Sequence, residues 1–167
     1  SRATTPGSAV RLLRSSPVIL LVGATICAVG IELGSIGMLT TYLMELRGFD
    51  QVTSKIGLLL FIGGFGTGRL LIGRLIRDDM VEAWVLGCFT TSIVTSLLLY
   101  TLGSGAALYV MAFLTGSSVS VLLPSIIAAT GARHTDHAGT AIGIIKMGIP
   151  VGGMLLPFLL SVVTMAV

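Results

Sequence analysis

Apolar residues in this chain neither alternate nor recur as a stripe; they run in unbroken blocks. Between Glu82 and Arg133 there is no charged residue at all, and only Gly103-Ser104-Gly105 offers a turn within that stretch. A block of this kind, divided once, is two membrane-crossing helices joined by a hairpin. Each half exceeds the roughly 20 apolar residues that a helix needs to cross a hydrocarbon core about 30 Å thick. The same texture elsewhere, bounded by charges and turn residues, predicts five spans at about 17–46, 53–76, 81–102, 106–131 and 138–167. Residues 1–16 are polar, Ser-rich and Arg-bearing, and read as a linker that enters the first span at Pro17, a residue tolerated in the first turn of a helix. The connections are short, so the expected fold is all-α: one polytopic membrane bundle over 17–167 with antiparallel neighbours.

Composition sharpens this. The chain is 54% hydrophobic and 10% charged, with a mean hydropathy of +1.03, against about 25% charged residues in soluble domains. A water-soluble enzyme is excluded as a class, and no catalytic motif or cofactor loop is expected. The excess positive charge is an orientation signal and not a nucleic-acid footprint. Arg2, Arg11, Arg14, Arg74, Arg77 and Arg133 fall on the side of the N-terminus, whereas Arg47 and Lys55 fall on the other. The positive-inside rule therefore places the N-terminus in the cytoplasm, and the expected location is the inner (plasma) membrane. His134, Asp136 and His137 supply too few fixed ligands for a metal site. Tyr42, Tyr100, Tyr109 and Trp84 lie near span ends, where aromatic residues anchor at the interface.

Within the spans, a few residues stand out. Gly30/Gly34, Gly64/Gly68, Gly139/Gly143 and Gly148/Gly152 have the four-residue spacing that lets helices approach closely in lipid. Pro124, Pro150 and Pro157 each remove a backbone donor inside a span and are candidate hinges. Glu32 is the strongest functional candidate. It lies midway along the first span, where an ionised carboxylate costs several kcal/mol unless paired or hydrated, and such a group suits proton coupling or binding of a polar or cationic solute. Lys146 lies about 12 Å into the last span by helical rise, so it either pairs with Glu32 or snorkels to the headgroups. Arg69, near the end of the second span, is expected to snorkel or to cap the loop that follows. Tyr42 adds a hydroxyl to the small polar set of a cavity made by Glu32 and Lys146.

The most specific text runs from Gly63 to Asp79. Gly68-Arg69-Leu70 and Gly73-Arg74-Leu75, followed by Arg77-Asp78-Asp79, resemble the cytoplasmic loop between the second and third helices of each half of major facilitator superfamily transporters. The family continues with Asp, then Arg or Lys, then Gly and further basic residues, and the chain departs from it at Arg77, Asp78, Asp79 and Met80. Two further stretches extend the likeness. Gly30-Ile31-Glu32-Leu33-Gly34 with Thr41-Tyr42-Leu43 and Arg47-Gly48-Phe49 is similar to the seventh helix and its outer loop, and Leu123-Pro124-Ser125 with Gly139 to Pro157 is similar to the tenth and eleventh.

The resemblance implies the C-terminal half of such a transporter, helices seven to eleven, loosely of the fucose-permease-like branch, which hints at sugars while leaving the substrate open. Gly68, Arg69, Gly73, Arg74, Arg77 and Asp78 would form its gating loop. A half has six helices and the whole has twelve, so the resemblance also implies a partner: a complementary N-terminal half or a larger membrane complex. On this reading the chain belongs to a secondary transporter that moves a small-molecule solute by alternating access, a symporter if Glu32 carries a proton. The alternative left open by the residues is a transport-inactive membrane subunit that keeps the half-fold as a scaffold or assembly partner.

Overall fold

The computed structural model describes residues 16–72, 81–102 and 105–166. It is all-α, and five helical stretches are long and apolar enough to cross a membrane: Ser16–Leu46, Gln51–Leu71, Ala83–Thr101, Ala106–Arg133 and Thr135–Leu159. By this measure the chain is a membrane protein. The linker expected before Pro17 lies outside the described residues up to position 15.

The first span is α1 (Ser16–Thr41), extended by a widened π-type turn over Tyr42–Leu46. Gly48 then takes φ 68°, a left-handed conformation that favours glycine, and the Phe49 N–H closes the helix end on the Leu43 carbonyl at 3.0 Å. Asp50 starts α2 (Gln51–Ile72) by accepting the N–H groups of Val52 and Thr53 at 3.0 and 3.1 Å. The third span is α3 (Val81–Leu102).

The fourth and fifth spans are each broken once. The fourth divides into α4 (Ala106–Val119) and α5 (Leu122–Arg133), and the fifth into α6 (Ala138–Lys146) and α7 (Gly148–Ala166). Both breaks have the same cause. Pro124 and Pro150 carry no N–H, so the carbonyls of Ser120 and Lys146 lose their helical partners, and the chain turns within four residues of each proline. Pro157 lies inside α7, which runs on through it.

Two parallel crossings carry the bundle. On α2, an added Cβ at Gly64 would lie 2.0 Å from the Phe113 carbonyl oxygen, and at Gly68 2.3 Å from that of Ser117; on α4, one at Gly116 would lie 2.0 Å from the Phe61 oxygen. The α1–α7 crossing is built alike: Gly152 sits on the Ile26 carbonyl, 2.3 Å from an added Cβ, and Gly30 sits on Leu156. Gly139 and Gly143, with the same spacing, face open space. The spacing predicted close packing there, and the structure corrects it: four-residue spacing makes a flat face, but a neighbour has to be present to fill it.

The two crossings are in register. One offset carries Ile26 onto Phe113 and Gly30 onto Ser117, and one offset carries Gly64 onto Gly152 and Gly68 onto Leu156. Because α1 and α2 are joined by a four-residue turn and so run antiparallel, spans one and two map onto spans four and five with direction reversed.

Apolar side chains fill two layers between these crossings. One, toward the Ser16 end, joins Ala28, Cys88, Val121, Leu122, Ile126 and Ile145, with Trp84 against it. The other, toward the Leu46 end, joins Leu39, Leu43, Phe61, Leu99, Leu108 and Ala112. Hydroxyls stitch α3 to the fourth span: Thr95 and Ser118 share a hydrogen bond of 2.8 Å, and Thr115 donates to the Thr95 carbonyl at 3.0 Å.

Candidate functional site

Glu32 lies at the middle of the long first helix, on a flank that faces α2. Its partner there is Arg69: one guanidinium nitrogen approaches one carboxylate oxygen at 3.5 Å. Lys146 does not make that pair. It is the last residue of α6 and is exposed, so the pairing with Glu32 that the sequence left open is not made. Arg69 likewise departs from expectation. With its backbone near the end of α2, it could have reached outward to headgroups or the following loop, yet it turns inward to α1. Phe65, one turn earlier on α2, holds it there, with its ring centroid 4.3 Å from the guanidinium carbon. A cation stacked on an aromatic face and set against a carboxylate is a stable arrangement in a low-dielectric medium.

The pair is unevenly buried. The Glu32 side chain is 16% exposed and that of Arg69 is 47% exposed. Next to Arg69 on the same face of α2, Gly66 faces open space and Ile62 is exposed. The guanidinium thus borders an open apolar strip on one side and its carboxylate on the other.

Tyr42 sits apart from this pair, at the Leu46 end. Its hydroxyl donates to the Tyr100 carbonyl at 2.6 Å, and the two rings meet edge to face at 4.9 Å. Arg47 also points at the end of α3, with the carbonyls of Tyr100 and Thr101 each at 3.5 Å. These groups satisfy the terminal carbonyls of α3, which have no helical partner. The sequence suggested an interface anchor; the structure adds a fastener between spans one and three, which linear spacing does not reveal.

Between α1 and α3, below the tyrosines, lies a cleft of about 590 Å³. Ile31, Ser35 and Met38 line one wall and Ser92 and Ser96 the other. The Ser92 hydroxyl is buried without a hydrogen-bond partner. The offset that superposes the two crossings carries Ile31, Ser35 and Met38 onto Ser118, Leu122 and Ser125. In the fourth span those positions are covered by α3, through the Ser118–Thr95 bond, the Ser125 hydroxyl on Cys88 and the apolar layer that Leu122 and Cys88 share. The cleft wall of α1 is therefore the counterpart of a surface that elsewhere in the same bundle is covered by a helix.

Of the expected gating residues, Gly68 is buried at the α2–α4 crossing and Arg69 pairs with Glu32, while Gly73, Arg74, Arg77 and Asp78 lie outside the described residues. Pro124 and Pro150 mark the two helix breaks, and Pro157 does not interrupt its helix. The chain matches no protein-family model, no curated protein and no solved structure.

Proposed function

We propose that this chain is part of a secondary active transporter of the major facilitator type, carrying a small solute by alternating access with Glu32 as the proton-coupling group. The observation that supports this reading most is the in-register repeat of the two glycine crossings with direction reversed. Inverted repeats related by an axis in the membrane plane are a recurrent architecture of secondary transporters, whose spans are broken where backbone groups line a cavity. The proline-marked breaks in spans four and five agree with that pattern. So does an intramembrane carboxylate paired across two spans, the kind of group that relays protons in pumps and symporters.

On the same reading the cleft between α1 and α3 is the seat of one more span, which would complete the second repeat as α3 completes the first. The chain would then sit in the inner membrane with Ser16 toward the cytoplasm, against a complementary helical half. Native mass spectrometry of the detergent-extracted protein tests this. Recovery with one complementary helical half supports the transporter reading. Recovery as a small subunit of a large unrelated membrane assembly overturns it, and makes the Glu32–Arg69 pair an assembly contact.

A further inference from the structure

We infer that Arg69 is the receptor for a carboxylate-bearing solute, which binds together with a proton taken by Glu32; the inference rests on the transporter reading and names its substrate class. A guanidinium offers five N–H donors in a planar fork. Among the described residues Arg69 meets a single acceptor, one Glu32 oxygen at 3.5 Å, well beyond the roughly 2.8 Å of a charge-assisted hydrogen bond. Nearly half of its surface remains open, at 47%, and one face of the guanidinium stacks on the ring of Phe65. On the same face of α2, Ile62 is exposed and an added Cβ at Gly66 would meet nothing within 4 Å, so among the described residues nothing covers the apolar surface beside the guanidinium. A fixed fork of donors in a medium of low dielectric selects a planar oxyanion, which it binds with two parallel bonds, over a neutral polyol.

Charge balance supplies the coupling. Glu32 and Arg69 together are neutral, and a bound carboxylate would leave one net negative charge inside the membrane, at a cost of several kcal/mol. A proton on Glu32 cancels it. No other described ionisable group faces Glu32 to do so. Of the helices packed on α1, α7 carries none, α4 carries only Tyr109 in its first turn, α5 and α6 carry Arg133 and Lys146 at their last residues, and the other cation of α2, Lys55, lies in its first turns. Solute and proton therefore enter together, and each strengthens the binding of the other by the same factor.

The test uses the full chain in dodecylmaltoside with a dilute pH indicator, titrated with lactate and, separately, with L-fucose. Lactate is expected to bind with uptake of about one proton per anion, fucose not to bind, and E32Q to bind lactate without proton uptake. R69K keeps the charge but loses the fork, and should weaken lactate by at least about tenfold, the equivalent of one good hydrogen bond. Fucose binding without lactate binding overturns the substrate class and leaves the transporter reading standing. Lactate binding by a chain that co-purifies with an unrelated assembly does the reverse. Binding of phosphatidylglycerol, lost in R69K, with no response to lactate shows that a lipid headgroup is the anion and overturns the solute assignment. If R69K does not fold, E32Q decides alone: unchanged proton uptake in E32Q refutes the coupling.

Discussion

Replacing Gly64 by alanine is the most direct challenge to the α2–α4 crossing. The new methyl carbon would stand 2.0 Å from the Phe113 carbonyl oxygen, where van der Waals contact needs about 3.2 Å. The obstructing atom belongs to the backbone, so no rotamer change relieves it, and the helices must part by about 1 Å. A gap of that size forfeits a quarter to a half of the dispersion energy of each atom pair across the contact. It also weakens Cα–H···O contacts worth about 0.5–1 kcal/mol each. The expected loss is about 2–3 kcal/mol, the upper part of the range for overpacked interiors. Gly63→Ala is the control, because nothing lies within 4 Å of its added Cβ, and it should shift stability by less than about 0.5 kcal/mol. Trp84, the single tryptophan of the chain, packs on the core layer at the Ser16 end and reports unfolding by fluorescence as SDS is titrated into dodecylmaltoside micelles. Gly116→Ala should cost as much as Gly64→Ala, and the double variant less than the sum, because one separation of the helices accommodates both methyls. Equal stability of Gly64→Ala and Gly63→Ala would refute the crossing.

Three further outcomes are expected. In proteoliposomes holding the chain with its partner half, Glu32→Gln should abolish the pH dependence of uptake, and uptake that varies with pH as in the wild type would remove Glu32 from the coupling. Tyr42→Phe removes the 2.6 Å bond to the Tyr100 carbonyl and should cost about 1 kcal/mol, read from the same SDS titration; no change would show that the ring contact and Arg47 suffice. Asp50, outside the spans, is held below the usual carboxylate range by the Thr53 hydroxyl, then by the N–H groups of Thr53 and Val52. Its contribution is therefore present above the ordinary carboxylate range and lost as pH falls through the lowered value, so Asp50→Asn should flatten the acid limb of the stability profile; an unaltered limb would count against the cap.

The spans were legible because the bilayer imposes a length and a polarity on each, and both are properties of a contiguous stretch. Helix breaks were only partly legible: the missing N–H at Pro124 and Pro150 acts on a carbonyl four residues earlier, yet Pro157 lacks the same donor and α7 runs on through it. Close packing was only half legible. Gly64 and Gly68 meet a backbone, whereas Gly139 and Gly143 meet nothing, and the two pairs are indistinguishable by spacing. Gly116, which completes the tightest crossing, lies in no glycine pair at all. Its signal was Ala112 one turn earlier, since any small residue leaves the same flat face.

The pairing of Glu32 shows where a linear reading could have gone further. Depth counted from the Ser16 end puts Lys146 and Glu32 within reach of one another, on helices that need not touch at that level. The turn between α1 and α2 is the better origin, because both helices leave it together. Counted from there at 1.5 Å per residue, Glu32 and Arg69 differ in depth by about 6 Å, within the reach of an arginine side chain. Two helices joined by a four-residue turn must be neighbours, so a mid-span carboxylate on the first and a near-terminal cation on the second had each other as the nearest way to avoid an unpaired charge in lipid. Lys146 lacked that constraint: nothing in the sequence ties the end of α6 to the middle of α1, and the proline-linked break that follows Lys146 leaves it at a helix terminus, where its ammonium has an outward path.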